Sequence, residues 1–457
     1  MKLNFLFFLL ITNSCLVLAQ NQFSKYDVLS DLVFLKTSLE KTHINLYAYT
    51  SKEEFAQNYY EVKKDVEKKD SLSLLETINQ FQKVAAKANN AHTRIPFPVE
   101  TYIAFAQAGG TIFPLELAFE NGKALLRKNW SNKELKLGAV LKTINGKDIE
   151  DILQEIYPQI SAERLYFKNA QLEMLSFPRY FWRVFGEYDE FEVVFKENGV
   201  LSTYKLKAIR AIEDYEMKRN DILKRDMKLS FLPSSTAYLQ PGDFGGDLVK
   251  YQQFIDSAFM EIRGKFIENL IIDLRNHSGG DDAFGDYLVS YIANKPFNWN
   301  SKFQLKSSKL LKEDVRKNRD STERYWKSIL MHKDGEIYDY EFKPYQPQRR
   351  SKRYDGQVYV LVNRQSYSQS TVTAAQIQDH GFGIIVGEET GEYPNLYASI
   401  FSYKLPKTGI GVDTSKGRIF RVSGAKNNRG VIPDIIIKDQ LLDEKDEVLD
   451  GLLEKLN

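Results

Sequence analysis

Two stretches of the 457-residue chain set reactive side chains where a buried strand hands over to a helix. The first reads Ile271-Ile272-Asp273-Leu274-Arg275-Asn276-His277-Ser278-Gly279-Gly280-Asp281-Asp282. Adjacent glycines let the backbone approach a ligand closely and turn N–H groups toward an anion, although the same pair also makes a plain tight turn. Neither G-x-x-x-x-G-K-[ST] nor G-x-G-x-x-G occurs in this loop, which excludes the common nucleotide cradles. The second stretch runs from Val358 through Asn363-Arg364-Gln365-Ser366-Tyr367-Ser368-Gln369-Ser370 into an apolar-periodic segment ending near Asp379. A serine at such a helix start meets unpaired N–H groups and the positive end of the helix dipole, which suits a nucleophile or an oxyanion neighbour. Each of Ser366, Ser368 and Ser370, taken alone, also reads as a helix N-cap. A proton acceptor for such chemistry would be sought among His43, His92, His277, His332 and His380, each of which has a plain reading as a cap or surface residue.

In order and wording these stretches resemble the tail-specific (C-terminal processing) serine peptidases, family S41. The motifs are IIDLRNHSGG, VLVNRQSYSQSTVTAAQIQDHGFGIIVGEET and a closing GVIPDIII from Gly430 to Ile437. The resemblance implies an α/β core of the crotonase and ClpP type. It places the nucleophile at Ser368 and the oxyanion donors at the N–H of Gly280, or its neighbour Gly279, with that of Gln369. The Ser–Lys branch of the family carries a lysine after the glycine of GE-x-T-x-G, but here Gly391 is followed by Glu392 and Tyr393. The tricorn-like branch takes its base from a histidine in an HT or HS context, and Asn90-Ala91-His92-Thr93 fits it. That branch orients the histidine with a glutamate ahead of G-V-x-P-D, a position that reads Asn427 here. An amide can hold an imidazole but brings no charge, so Glu388, Glu389 or Glu392 would substitute if the fold carries one of them to His92.

These residues need a frame. Val28, Leu32, Leu35 and Leu39, then Phe55, Tyr59, Val62 and Val66 behind a Ser51/Glu54 capping box, then Leu74, Ile78, Phe81 and Ala85 follow the 3.6 period. They predict a helical bundle over 20–98. From Thr101 to about Ala208 the pattern turns to short β-type runs, such as Thr111 to Phe119 and Glu192 to Phe195, with a helical insert within Glu150 to Leu175. This mixed β module, 99–212, contains Leu137-Gly138-Ala139-Val140-Leu141-Lys142-Thr143-Ile144-Asn145-Gly146-Lys147, which resembles part of a PDZ domain and reads equally as a hairpin with an Asn-Gly turn. Residues 213–457 alternate apolar strands with amphipathic helices, the α/β pattern of a peptidase core.

With 63 Lys plus Arg against 61 Asp plus Glu, the chain lacks the basic excess of a nucleic-acid binder. Its one cysteine, Cys15, lies in a signal-like segment, 1–19, with Lys2, an apolar run from Phe5 to Ile11 and cleavage expected after Ala19 or Gln20. The expected mature protein is secreted or periplasmic, without a membrane span. It needs no metal or organic cofactor, for it has no cysteine and no histidine pair at ligand spacing. The reading that results is an exported serine peptidase acting on proteins or peptides. The alternative is a catalytically inactive protein of the same scaffold that binds peptides or small apolar ligands, suggested by the missing lysine and by Asn427.

Overall fold

Leu270, Ile271, Ile272, Val360, Leu361 and Val362 are all fully buried, so their two segments have no polar face and fit only a sheet covered on both sides. In the computed structural model, which describes residues 22–219, 222–223, 225–443 and 445–456, they lie at the centre of a six-stranded sheet. Its order is Met227–Leu232, Thr236–Pro241, Asn269–Asp273, Gln357–Val362, Ile384–Gly387, Ile435–Ile436. The first pair is antiparallel and the rest are parallel. Side chains alternate across the sheet. Leu270, Ile272, Val360 and Val362 meet the helices Leu248–Gly264, Asp282–Ser290 and Gln369–His380, while Ile271, Leu361 and Val386 meet Glu447–Leu456.

A second, four-stranded antiparallel sheet is ordered Ile337–Asp339, Lys302–Lys306, Gly411–Phe420, Leu396–Lys404. The expected N-terminal helices are Lys25–Thr42, Lys52–Glu67 and Leu74–Ala86, and both sides of the Ser51/Glu54 capping box form. Their core is completed by Leu405, Ile410 and Val412, so the bundle docks on the long hairpin of the second sheet and shares its interior with the α/β half.

The mixed module is built on the antiparallel strands Leu115–Glu120, Lys123–Asn129, Val140–Ile144, Glu190–Glu197 and Val200–Lys207. Helices Ile149–Ile156, Leu165–Leu175 and Phe177–Phe185 lie between its third and fourth strands in sequence, extending past the insert expected to end at Leu175. Asn145 and Gly146, both at positive φ, close the two-residue hairpin that the Asn-Gly pair predicts. Two β expectations are corrected. Val99–Gln107 is a helix, because Tyr102 and Ala106, four apart, pack together against Trp182. The run Thr111 to Phe119 breaks at Pro114, which has no N–H to give a ladder, so Thr111–Ile112 pairs with Ile209–Arg210 instead. The signal-like segment 1–19 lies outside the described residues, among which no helix is long and apolar enough to cross a membrane.

Candidate active site

The strands Asn269–Asp273 and Gln357–Val362 run parallel with Ile272 opposite Val360 and Asp273 opposite Leu361, so their carboxyl ends, where α/β sheets place their ligands, finish side by side. The two loops beyond are laced together. Leu274 N–H donates to Leu361 O (2.9 Å), Asn276 N–H to Asn363 Oδ1 (3.0 Å), and Asn363 Nδ2 to Asn276 Oδ1 (2.8 Å). Ser366 Oγ donates to Leu274 O at 2.6 Å and accepts from Asn363 N–H. Ser366 and Ser370 are fully buried staples. Ser368 differs from both. It has φ 57° and ψ −132°, makes no side-chain bond to the helix it precedes, and lines a cleft of about 680 Å³. Such a conformation costs a non-glycine residue about 1–3 kcal/mol and persists only where surrounding bonds impose it.

The glycine pair faces this turn at a distance no side chain would allow. A Cβ on Gly279 would lie 2.5 Å from Gln369 N and 2.9 Å from Ser368 Cβ, and one on Gly280 only 1.9 Å from Phe244 O. Gly279 N–H donates to His277 Nδ1 (3.0 Å), whose Nε2 faces Gly242 O at 2.6 Å. His277 is thus a buried brace held neutral, since burial lowers its pKa. The bond spends the N–H of Gly279, which was expected as the alternative to that of Gly280. The N–H groups of Gly280 and Gln369 have no protein acceptor among the described residues, and both residues line the cleft.

His92 reaches the same cleft from the loop after the third helix of the bundle. Asn90 anchors that loop by donating to Tyr397 O (3.0 Å) and accepting from Ser415 Oγ (2.7 Å), and Arg94 pairs backbone to backbone with Asp413. Beside the ring stands Glu392, with a side chain fully shielded from solvent. Its Oε1 is 3.0 Å from His92 Nε2, close enough for an ion pair, although the two are not aligned as a hydrogen bond and have no other partner. Its Oε2 accepts from the backbone N–H of Ser368. Burial disfavours the imidazolium, but the charges of Glu392 and then Glu163 outweigh it against Arg94, so the His92 pKa is raised. Glu163 accepts from Ala91 N–H, and burial and the Glu392 charge raise its own pKa.

Glu392 is held by the turn before it. Arg164 binds Glu389 Oε1 (2.7 Å) and the carbonyls of Thr390 and Gly391, while Thr390 Oγ1 donates to Glu392 O at 3.0 Å. The mixed module grips the serine loop through Arg364, whose guanidinium binds Glu173 at 2.8 and 2.9 Å and Glu120 at 2.6 Å. Breaking a buried pair strands its partner's charge, so Arg364→Ala is expected to cost about 3–5 kcal/mol in a denaturant titration.

The cleft therefore gathers Ser368, His92, Gly279, Gly280 and Gln369. Asn427 is not among them. It is exposed in a loop tied down through Ala425 O to Asn395, and no bond joins it to His92, whose Nε2 side is already taken by Glu392. Of the other glutamates, Glu389 is spent on Arg164 and Gly430 N–H, and Glu388 lies 3.9 Å from Arg364, pushed up to about 7 by burial. His43 is buried, and burial drives its pKa down to about 3. His332 pairs with Glu336 and His380 with Asn298 O. The signal for Glu392 was in the sequence: it directly follows Gly391, where the Ser–Lys branch carries its lysine. Glu163 had no comparable signal.

Residues 235–437, just under half of the chain, match the profile of Peptidase family S41. The chain is 27% identical over 186 residues to the tail-specific protease of Haemophilus influenzae, a match covering 40% of this chain and 22% of that protein. It thus spans about a fifth of the length of that curated relative. Its fold is similar to that of mature CPAF, with a TM-score of 0.64 at 14% identity over 94% of this chain and 96% of the other. Mature CPAF complexed with lactacystin gives the same score at 16% identity, over 94% and 97%.

Proposed function

We propose that this chain, whose α/β half matches an S41 peptidase profile, is a serine peptidase of the tricorn-like His/Ser kind. Ser368 Oγ attacks the scissile carbonyl carbon while His92 accepts its proton, and the oxyanion that forms is held by the N–H groups of Gly280 and Gln369. Glu392 faces Nε2, so Nδ1 is the ring nitrogen that takes the proton. The imidazolium then protonates the leaving amine as the C–N bond breaks, leaving an acyl ester on Ser368. Water attacks the ester, giving its proton to His92, and the carboxylic acid departs as Ser368 regains a proton. The core is read as crotonase/ClpP-like, the mixed module as PDZ-like, and the site of action as outside the cytoplasm after loss of residues 1–19. One observation carries the reading: a single carboxylate, Glu392, touches both His92 and the backbone of a strained Ser368, opposite two unspent N–H groups. Glu392, one of the three glutamates named as substitutes for Asn427, stands beside His92 and so weakens the binding-only alternative.

The test is labelling of the purified protein with a serine-reactive fluorophosphonate, followed by intact mass. One adduct is expected, absent in Ser368→Ala and strongly slowed in His92→Ala. Peptide hydrolysis by a folded Ser368→Ala protein at the unmutated rate would sink the proposal.

A further inference from the structure

The cleft that Ser368 lines is also bounded by a wall of rings. Trp299, Phe303 and Phe342 lie with centroids 5.0 to 5.7 Å apart, and Tyr325 meets Trp326 at 4.8 Å. Among these rings sits Ser399, at φ 57° in the strand Leu396–Lys404. The ladder to the neighbouring strand is interrupted there: Ala398 pairs with Gly417 and Ile400 with Ser415, leaving Ser399 facing Lys416. Lys416 is only 4% exposed and has no carboxylate partner among the described residues. Its ammonium donates to Ser399 O (3.0 Å), Ser399 Oγ (2.9 Å) and Ile400 O (3.2 Å), and lies over the Tyr325 and Trp326 rings. Tyr325 OH is also 2.9 Å from Ser399 Oγ.

A buried amine held by neutral oxygens and ring faces, its pKa lowered to about 7 chiefly by burial, is a costly way to steady one strand residue. It does, however, fix the hydroxyl. Tyr325 OH and Ser399 Oγ share a hydrogen bond in which either can donate; with Tyr325 as the donor beside Lys416, Ser399 Oγ keeps its own proton for an acceptor in the cleft. A ring-lined pocket with one oriented donor fits a flat side chain that ends in an oxygen.

We propose that this part of the cleft is a substrate side-chain subsite that selects tyrosine, through contacts with Trp326 and its neighbours and a hydrogen bond from Ser399 Oγ to the phenolic oxygen. The proposal rests on the peptidase reading and names its substrate class.

The test uses the full chain carrying Ser368→Ala and fluorescein-labelled nonapeptides that differ only in a central Tyr, Phe, Leu or Asp, with Kd read by anisotropy. Tyrosine is expected to bind about fivefold tighter than phenylalanine, the worth of one hydrogen bond, with leucine weaker and aspartate weakest. Adding Ser399→Ala or, with less disturbance of Lys416, Tyr325→Phe should bring the Tyr/Phe ratio toward one. Trp326→Ala should weaken both aromatic peptides about tenfold. Equal affinities for all four peptides, no binding of any, or a Tyr/Phe ratio unmoved in both Ser399→Ala and Tyr325→Phe would overturn the subsite. Fluorophosphonate labelling of the unmutated protein separates the two readings. A Ser368 adduct with unselective peptides rejects only the subsite, whereas selective binding without an adduct supports the pocket and rejects the hydrolase.

Discussion

With glutamine in place of Glu392, acylation of Ser368 is expected to slow by about ten-thousandfold, the loss seen when a triad acid becomes an amide. The amide keeps the shape and can still accept from Ser368 N–H, so the fold should survive. What disappears is the charge that stabilises the imidazolium and fixes which nitrogen carries the proton. The pH profile gives the distinguishing sign. His92 must be neutral to act as a base, and its pKa lies above the usual 6.5 because Glu392 and Glu163 outweigh burial and Arg94. The rising limb of the labelling rate should therefore lie above pH 6.5 in the unmutated protein and move to lower pH in Glu392→Gln. Stability follows the same linkage. The part contributed by His92 is complete below its unfolded pKa and is lost as pH rises through the raised folded value. Asn427→Ala, at an exposed position, should leave both rate and limb within about twofold. A limb that stays in place in a folded Glu392→Gln protein would remove Glu392 from the role.

Gly280→Ala is the second change expected to be severe. Its φ of 143° is one that side chains avoid, and the new methyl would sit 1.9 Å from Phe244 O, so the loop must move. Losing one aligned oxyanion donor costs about 10²–10³ in rate, and forcing a methyl into a packed turn costs about 1–3 kcal/mol. Labelling rate and urea midpoint should both fall. Gly335→Ala is the control. It also has positive φ, but no atom lies within 4 Å of its added Cβ, so its cost should be about 1 kcal/mol and its labelling rate unchanged. Equal rates in Gly280→Ala and Gly335→Ala would count against the oxyanion role.

Much of this was legible in the sequence because it depends on neighbours along the chain. The buried strands announced themselves by unbroken apolar runs, the N-terminal helices by their period and the Ser51/Glu54 box, and the hairpin by Asn145-Gly146. The strand–loop–helix pattern marked the glycine pair and three serines, and the resemblance to family S41 picked Ser368 among Ser366, Ser368 and Ser370. Of the two misread segments, the run from Thr111 to Phe119 broke on a local feature, Pro114, while 99–107 became a helix through long-range packing, where Tyr102 and Ala106 find Trp182.

The proposed third member of the site is of another kind. His92, Glu392 and Ser368 are far apart in sequence, and their meeting depends on the bundle docking on Leu405, Ile410 and Val412 and on Arg164 holding the turn at Gly391. The residue types and order of the chain supplied the candidates, a glycine pair, Ser366, Ser368 and Ser370, and five histidines, and the resemblance to family S41 chose Ser368 and His92 among them. Only tertiary packing chose Glu392 over Asn427, Glu388 and Glu389, spent the N–H of Gly279 on His277, and joined Lys416 to the ring wall through Ser399. Partner choice for a carboxylate or an N–H is settled within about 3 Å, a scale fixed by how remote segments pack.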